Sequence, residues 1–484
     1  MRSTSVLSLL ADFESPNVTH LAPDGRWPIV WERARGCHVW TPEGRKYLDL
    51  TAAFGVAAAG HSNARVVRAG QKQLARLAHA MGDVHPHPLK AQLARELSRW
   101  TFERWKFGTG RTVFGNSGFE AIEAALKTAR LATGKAGVLA FEGAYHGLGY
   151  GALNTTHRDY FRRPFLDQIG GFAMFVPFPA GQEEEGRQTS AAEVLEAIRQ
   201  RIRRQPIGAV LMEPIQVRGG VRIPPSGFLH ELRRICEHQG VLLILDEIYT
   251  GFGRTGRWFA CEHEGVVPDL ICLGKALTGG FPLSACVGRS DLMAQAWPRS
   301  AGEAMHTSTY LGNPVGCAMA LAQLAELRRR RLAERAARLE PVLQNALEAA
   351  ASGAHGLVAT VRIRGLLAGL ELRNDDGTPA GTAAFAVVQR LLSEGFVLLP
   401  EGASGEVIGI TPPLIIPVKE LIRATRALKK ALDDCRRVDG VPGVQVDGPT
   451  TEARATRSRR APTAADLQRA TTGRPKDPPP HGLG

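Results

Sequence analysis

The sequence has no apolar run approaching the ~18 residues that a membrane-spanning helix requires, so neither a helical membrane protein nor a membrane partner is expected. Its first residues, MRSTSVLSLLADFESPN, carry too brief an apolar patch, with acidic residues too early, for a secretory signal; the expected location is cytoplasmic. Cysteine is sparse: seven residues, Cys37, Cys236, Cys261, Cys272, Cys286, Cys317 and Cys435, include no C-x-x-C pair and no histidine at ligand spacing. That argues against a metal centre and for reduced, packed thiols. Aromatic side chains are missing altogether after Arg436, where Arg, Pro, Thr, Gly and Ala dominate. Such a stretch cannot bury enough apolar surface to order itself, and it offers bases nothing to stack on. Part of the formal charge of +13 sits here, so the excess is expected to mark a disordered basic tail at 436–484 rather than a nucleic-acid arm.

The rest has an ordinary globular composition, 44% hydrophobic and 22% charged, and 484 residues exceed what one core serves. Short strand-like pieces around HVWTPEGRKYLDL make 1–60 an N-terminal segment. Helically spaced Val66, Leu74, Leu77, Leu89, Leu93 and Leu97 then lead into a large domain, 61–310. There GVLAF (137–141), AVLMEP (209–214) and VLLILDE (241–247) are continuous apolar runs, as buried parallel strands require. Between the last two, SGFLHELRRICEHQG spells a helix with Ser226 as cap and Gly240 as stop, giving a right-handed strand–helix–strand unit. The expected fold is α/β, with a mostly parallel central sheet flanked by helices. A smaller α+β domain at 311–435 follows, built from an Ala- and Arg-rich helical region, VATVRIRGLLAGLEL and EGFVLLPEG. In such sheets ligands gather at the carboxyl ends of the strands, where Glu213 and Asp246 fall.

Lys275 follows Asp246 by 29 positions, set beside glycines in PDLICLGKALTGGFPLSA. A lysine in an apolar turn has a lowered pKa and can condense with an aldehyde. A buried carboxylate can keep a pyridine nitrogen protonated. These are the two requirements of pyridoxal phosphate chemistry, although an aspartate at a strand end also serves as a loop cap or a ribose contact. A third element strengthens the pair. In TVFGNSGFEAIEAALKTAR, residues 112–130, Asn116, Ser117 and Gly118 open a helix whose apolar face is Ile122, Ala125, Leu126 and Ala129. The free amides and dipole at Ser117, Gly118 and Phe119 suit a phosphate, and an ordinary N-cap has the same sequence signature. GFGRTG at 251–256 matches the dinucleotide pattern and would suggest an NAD-dependent oxidoreductase. That reading fails because four residues separate the motif from Asp246 and an aromatic, non-periodic RWFACEHEG follows it.

From about Gly36 to Leu432 the chain resembles the class III (omega-type) aminotransferases, pyridoxal-phosphate enzymes of fold type I. The motifs that carry the resemblance are GNSGFEAIEAALKTAR, AYHG, MEPIQ, LDEIYTGFGRTG, the run from PDL to PLSA, HTSTYLGNP and TPPLII. The resemblance implies that Ser117, Gly118 and Phe119 hold the phosphate, that Tyr145 stacks on the cofactor ring with His146 beside it, and that Ile248 packs on the opposite face. It implies Asp246 at the pyridine nitrogen, Lys275 as Schiff-base lysine and proton carrier, and Thr309 reaching the phosphate of the neighbouring subunit, hence a homodimer with shared active sites. Glu213 either supports the site from behind or is a structural strand-end acid. Three departures bear on the substrates. Tyr249 stands where the family carries a glutamine that donates to the ring hydroxyl, a contact the phenol could make instead. Leu148 and Gly409 replace arginines that hold a distal and an α-carboxylate, and EPIQVRGG puts Arg218 near the usual place of the acid that gates the second arginine. Loss of the arginine at 409 would make an acidic gate unnecessary, with Arg218 binding the co-substrate carboxylate from a different wall. The implied activity moves an amino group from an amine or omega-amino acid to a 2-keto acid. A racemase, decarboxylase or aminomutase of the same fold is the alternative, and the donor and acceptor stay open.

Overall fold

The computed structural model describes residues 1–23, 25–179, 190–354 and 356–435; the expected basic tail at 436–484 lies outside them. The central sheet has seven strands in the order Gly110–Gly115, Ser284–Arg289, Leu270–Leu273, Leu242–Asp246, Ile207–Met212, Gly137–Phe141 and Ala173–Val176. Ser284–Arg289 runs antiparallel to both neighbours, and every other pairing is parallel. Ile207–Met212, Gly137–Phe141 and Leu270–Leu273 are buried at every position, which is why they read as unbroken apolar runs. Each Leu, Ile or Val so covered contributes ~1.5–3 kcal/mol of burial.

Gly118–Thr133 lies on this sheet through Ile122, Ala125, Leu126 and Ala129, packed against Leu211, Ile244 and Leu270. The helix between Ile207–Met212 and Leu242–Asp246 spans Phe228–Gln239, and Gly240 closes it in the left-handed region. Ser226 does not cap it. Gly227, with φ +86°, takes that place, and the first-turn amide of His230 donates to Glu264, 3.0 Å away. A carboxylate distant in sequence thus does the work expected of the serine.

The Ala- and Arg-rich region forms two helices, Pro314–Arg329 and Leu332–Ala351. After them Leu357–Arg364, Leu367–Asn374, Val407–Ile410 and Leu399–Glu401 make an antiparallel sheet in that order. A third sheet joins segments far apart in the chain: Arg33–Arg35, His38–Trp40 and Lys46–Asp49 are extended by Phe396–Val397, which pairs in parallel with Lys46–Asp49. The stretch that follows is sewn down as well, Leu50 N–H to Val397 O (3.0 Å), Thr411 N–H to Leu50 O (2.7 Å) and Leu414 N–H to Ala58 O (2.9 Å). Cys37, Cys236, Cys261, Cys272, Cys286 and Cys317 are buried and free. No described helix is long and apolar enough to cross a membrane.

Candidate active site

The carboxyl ends of the parallel strands open into a cavity of about 390 Å3. At one end is the start of Gly118–Thr133. The Glu120 carboxylate folds back to accept from the backbone N–H of Asn116 and of Ser117 (3.0 Å), and the Glu120 amide donates to Ser117 O (3.1 Å). The turn is thereby fixed, while Ser117 Oγ is buried with no hydrogen-bond partner. Gly118 and Phe119 line the cavity. A Cβ on Gly118 would come 3.1 Å from Ile248 Cδ1, and one on Gly274 3.3 Å from Ile248 Cγ2, so the two glycines let Ile248 lie across the floor.

The acidic pair at the end of Leu242–Asp246 divides, as a two-residue period demands. Glu247 turns away and accepts from the amides of Ala260 (2.9 Å) and Cys261 (2.8 Å), a structural task. Asp246 faces the cavity, its Oδ1 accepting from Ile248 N–H (3.1 Å) and its Oδ2 lying 2.8 Å from His146 Nδ1. His146 Nε2 is buried without a partner. Glu213, just past Ile207–Met212, accepts from Tyr145 N–H (2.9 Å) and Val217 N–H (3.4 Å), tying together the two loops that carry Tyr145 and Arg218. Burial pushes the Glu213 carboxyl up, to about 7, and the nearby Asp246 adds to the rise against the opposing pull of His146.

Lys275 enters the same cavity from the turn after Leu270–Leu273, with φ +42°, a left-handed conformation that a side chain adopts only under constraint. Burial holds its ammonium below the usual lysine range, and the charges of Asp246 and Glu213 partly offset this. Its Nζ lies 4.8 Å from the centroid of the Tyr249 ring. The Tyr249 hydroxyl is 3.1 Å from Thr411 Oγ1.

On the opposite wall Arg218 sits 5.2 Å over the Tyr145 ring, with Leu148 exposed at the same cavity. An acid does face Arg218, although nothing in the sequence gives reason to expect one: Glu401 Oε2 lies 3.3 Å from Arg218 Nε. Neither atom makes a hydrogen bond, so the two charges attract without being locked. Gly409 is part of the same arrangement, since a Cβ there would meet Glu401 Cγ at 3.0 Å. Burial pushes the Glu401 carboxyl up to about 7 against the pull of Arg218, Arg158 and Lys275. Arg158 Nη2 donates to Gly402 O (2.9 Å) and Ala403 O (3.2 Å), and so clamps the loop that carries Glu401.

The structure therefore brings Gly118, Phe119, Tyr145, His146 and Glu213 into one cavity with Arg218, Asp246, Ile248, Tyr249 and Lys275, with Ser117 at its edge. It does not bring Thr309, which is exposed; the neighbouring Ser308 hydroxyl lies 3.5 Å from Asn116 Nδ2. Sequence reasoning missed Glu401, Arg158 and Thr411, whose partners are far along the chain; the glycine at 409 was the one available signal. The glycines of GFGRTG serve packing: a Cβ on Gly253 or Gly256 would come 3.2 Å or 3.1 Å from Ala333 or Ala337 of Leu332–Ala351. Between them Arg254 is fully buried and donates to Leu366 O (2.9 Å) and Pro412 O (2.5 Å).

An anion cradle with an orphaned hydroxyl, a carboxylate at a strand end and a desolvated lysine in one cavity fit pyridoxal phosphate, and with this sheet they define a pyridoxal-phosphate-dependent enzyme of fold type I. The family model described as Aminotransferase class-III matches residues 21–432, and the chain belongs to that family. It is 36% identical over 413 residues to an acetylornithine aminotransferase of Methanopyrus kandleri, covering 85% of this chain and 96% of that protein. A putrescine aminotransferase of Pectobacterium atrosepticum is 34% identical, over 90% of this chain and 89% of its own. Among solved structures, an amine transaminase from an uncultivated Pseudomonas species in its pyridoxal-phosphate-bound form superposes with a TM-score of 0.79 at 28% identity, covering 87% of this chain and 98% of that one.

Proposed function

We propose that this aminotransferase moves an amino group from an amine or omega-amino-acid donor to a 2-keto acid, with Lys275 as covalent anchor and proton carrier. The single observation that carries this reading is that Lys275 and Asp246 line one cavity beside the start of Gly118–Thr133. When bound, pyridoxal phosphate supplies an aldehyde for the amino group and a ring that draws electrons from the substrate carbon. The phosphate falls to Ser117 Oγ and the first-turn amides at Gly118 and Phe119, where the helix dipole adds attraction. Tyr145 and Ile248, which line the same cavity, would hold the ring between them. Asp246, oriented by His146, would hold the proton on the pyridine nitrogen. Burial lowers the proton affinity of Lys275 Nζ, which suits it to carry the proton from the substrate carbon to the carbon that the cofactor's aldehyde would supply.

Arg218 takes the carboxylate of the keto acid in this reading, and Glu401 is its counter-ion when a donor without a carboxylate occupies the cavity. Glu213 orders the loops behind both. The working unit is a homodimer in which Thr309 completes the phosphate site of the partner subunit. Support for the dimer comes from two exposed segments packed on each other: His79 against Tyr310 (5.3 Å between rings) and Thr307 Oγ1 donating to Asp83 Oδ2 (2.6 Å). They leave Leu77, Met81, Val84, Met305 and Tyr310 exposed, an apolar surface that a monomer would expose to water.

A panel of nitrogen-labelled donors and 2-keto acids tests the reaction. Label is expected to pass from one molecule to the other, which a racemase, decarboxylase or aminomutase does not do. Lys275→Ala is expected to lose both the visible absorbance of the bound cofactor and turnover. Retained turnover in that variant would remove the reading.

A further inference from the structure

Tyr249 is committed at three points. Its hydroxyl meets Thr411 Oγ1 at 3.1 Å, and Thr411 Oγ1 donates its one proton to Thr51 O, also at 3.1 Å. Thr411 therefore accepts from Tyr249, and the phenolic proton is spent there rather than on a cofactor oxygen, the contact that the sequence left open. One edge of the ring is pressed by backbone: a Cβ on Gly55 would lie 3.0 Å from Tyr249 Cε1, and Gly55 has φ +81°. The residues before it, Ala52, Ala53 and Phe54, all hold positive φ, at 47°, 49° and 59°. The Asp49 carboxylate keeps them there, accepting from Thr51 N–H (2.8 Å) and Ala53 N–H (3.2 Å) with His61 Nε2 at 2.6 Å. Three successive strained residues are a costly way to build a wall, so something gains from its position. What remains of Tyr249 is a ring face, and Lys275 Nζ stands 4.8 Å from its centroid.

We propose that Tyr249 is a positioning residue for Lys275, whose clamped ring face favours positive charge on the lysine nitrogen and holds that nitrogen at one place over the cavity. This rests on the role given to Lys275 above and adds a determinant of its proton affinity. Asp246, Glu213 and Glu401 act in the same direction on that nitrogen, while Arg218 and burial oppose them. The aromatic face differs from those carboxylates in being insensitive to pH: burial raises the Tyr249 phenol further above its ordinary value, and the quadrupole needs no ionisation. It supplies a fixed bias where the acids supply a variable one.

The test uses holoenzyme and the pH midpoint at which the cofactor-linked nitrogen of Lys275 loses its proton, read from visible absorbance. Tyr249→Phe keeps the ring and is expected to keep the midpoint. Tyr249→Leu removes the face and is expected to lower the midpoint by about one pH unit, the size of a desolvated cation–π contact. Fluorinated phenylalanines placed at 249 retain the shape and weaken the quadrupole, so a graded fall with fluorination is expected even if the leucine variant folds poorly. A midpoint unmoved across the leucine and fluorinated series overturns the proposal. So does a phenylalanine variant that moves as far as leucine, since the hydroxyl would then be the agent. A wild-type protein in which Lys275 carries no cofactor overturns instead the reading beneath it.

Discussion

With Arg218 as the proposed carboxylate-binding group, a neighbouring carboxyl pushed up to about 7 would make substrate choice depend on pH. Below that value Glu401 gains a proton and ceases to neutralise Arg218; above it the pair is fully charged. The Michaelis constant for a carboxylate-bearing acceptor is therefore expected to fall as the pH drops from 8 to 6, relative to that of an amine without a carboxylate. Glu401→Gln should remove this trend and hold the constant low throughout. Arg218→Ala should raise it roughly tenfold or more, as loss of a charge-assisted contact does, with little effect on the amine. Steady-state kinetics at three pH values check all three, and equal effects on both substrate classes would dissociate the pair from recognition. At this scale the sequence was informative about residues whose roles are local. Asp246, Lys275 and the Ser117 turn each lie at the end of a readable element. Arg218 was visible, but its partner was not, because Glu401 belongs to a strand 183 positions away.

The hairpin of Leu357–Arg364 and Leu367–Asn374 shows how a second element can carry the first. Its turn residue Gly365 has φ +63°, and a Cβ there would lie 2.4 Å from the Thr255 carbonyl carbon, inside the loop that Arg254 pins to Leu366. Gly377, in the turn after Leu367–Asn374, has φ +81° and open space around it. The two glycines separate strain from collision. Gly377→Ala is expected to cost ~1 kcal/mol from backbone strain alone. Gly365→Ala is expected to cost ~3 kcal/mol, because backbone must move as well. Denaturant midpoints measure both, and equal costs would show that the close approach is unimportant. The strands and most helices were legible because burial on both faces leaves unbroken apolar runs and helices leave a 3.6-residue period. The cap of Phe228–Gln239 was misread because Glu264, remote in sequence, replaced the local serine.

For the molecule entire, the exposed apolar residues at 77–84 and 305–310 predict association. Met81→Lys places a charge in that surface and is expected to shift the protein from dimer to monomer in size-exclusion chromatography, with loss of retained cofactor. A monomeric wild type would refute the shared site. The α/β architecture was readable from alternating runs and glycine punctuation. The third sheet was not, since Lys46–Asp49 and Phe396–Val397 are too short to announce a pairing across some 350 residues. That pairing ties the wall behind Tyr249 to the last described strands. A ribosome that has released Asp246, Lys275 and every phosphate contact has still not made a competent pocket. The growing polypeptide must wait for residues near 411, so truncated products ending earlier should be catalytically silent however well their central sheet has folded.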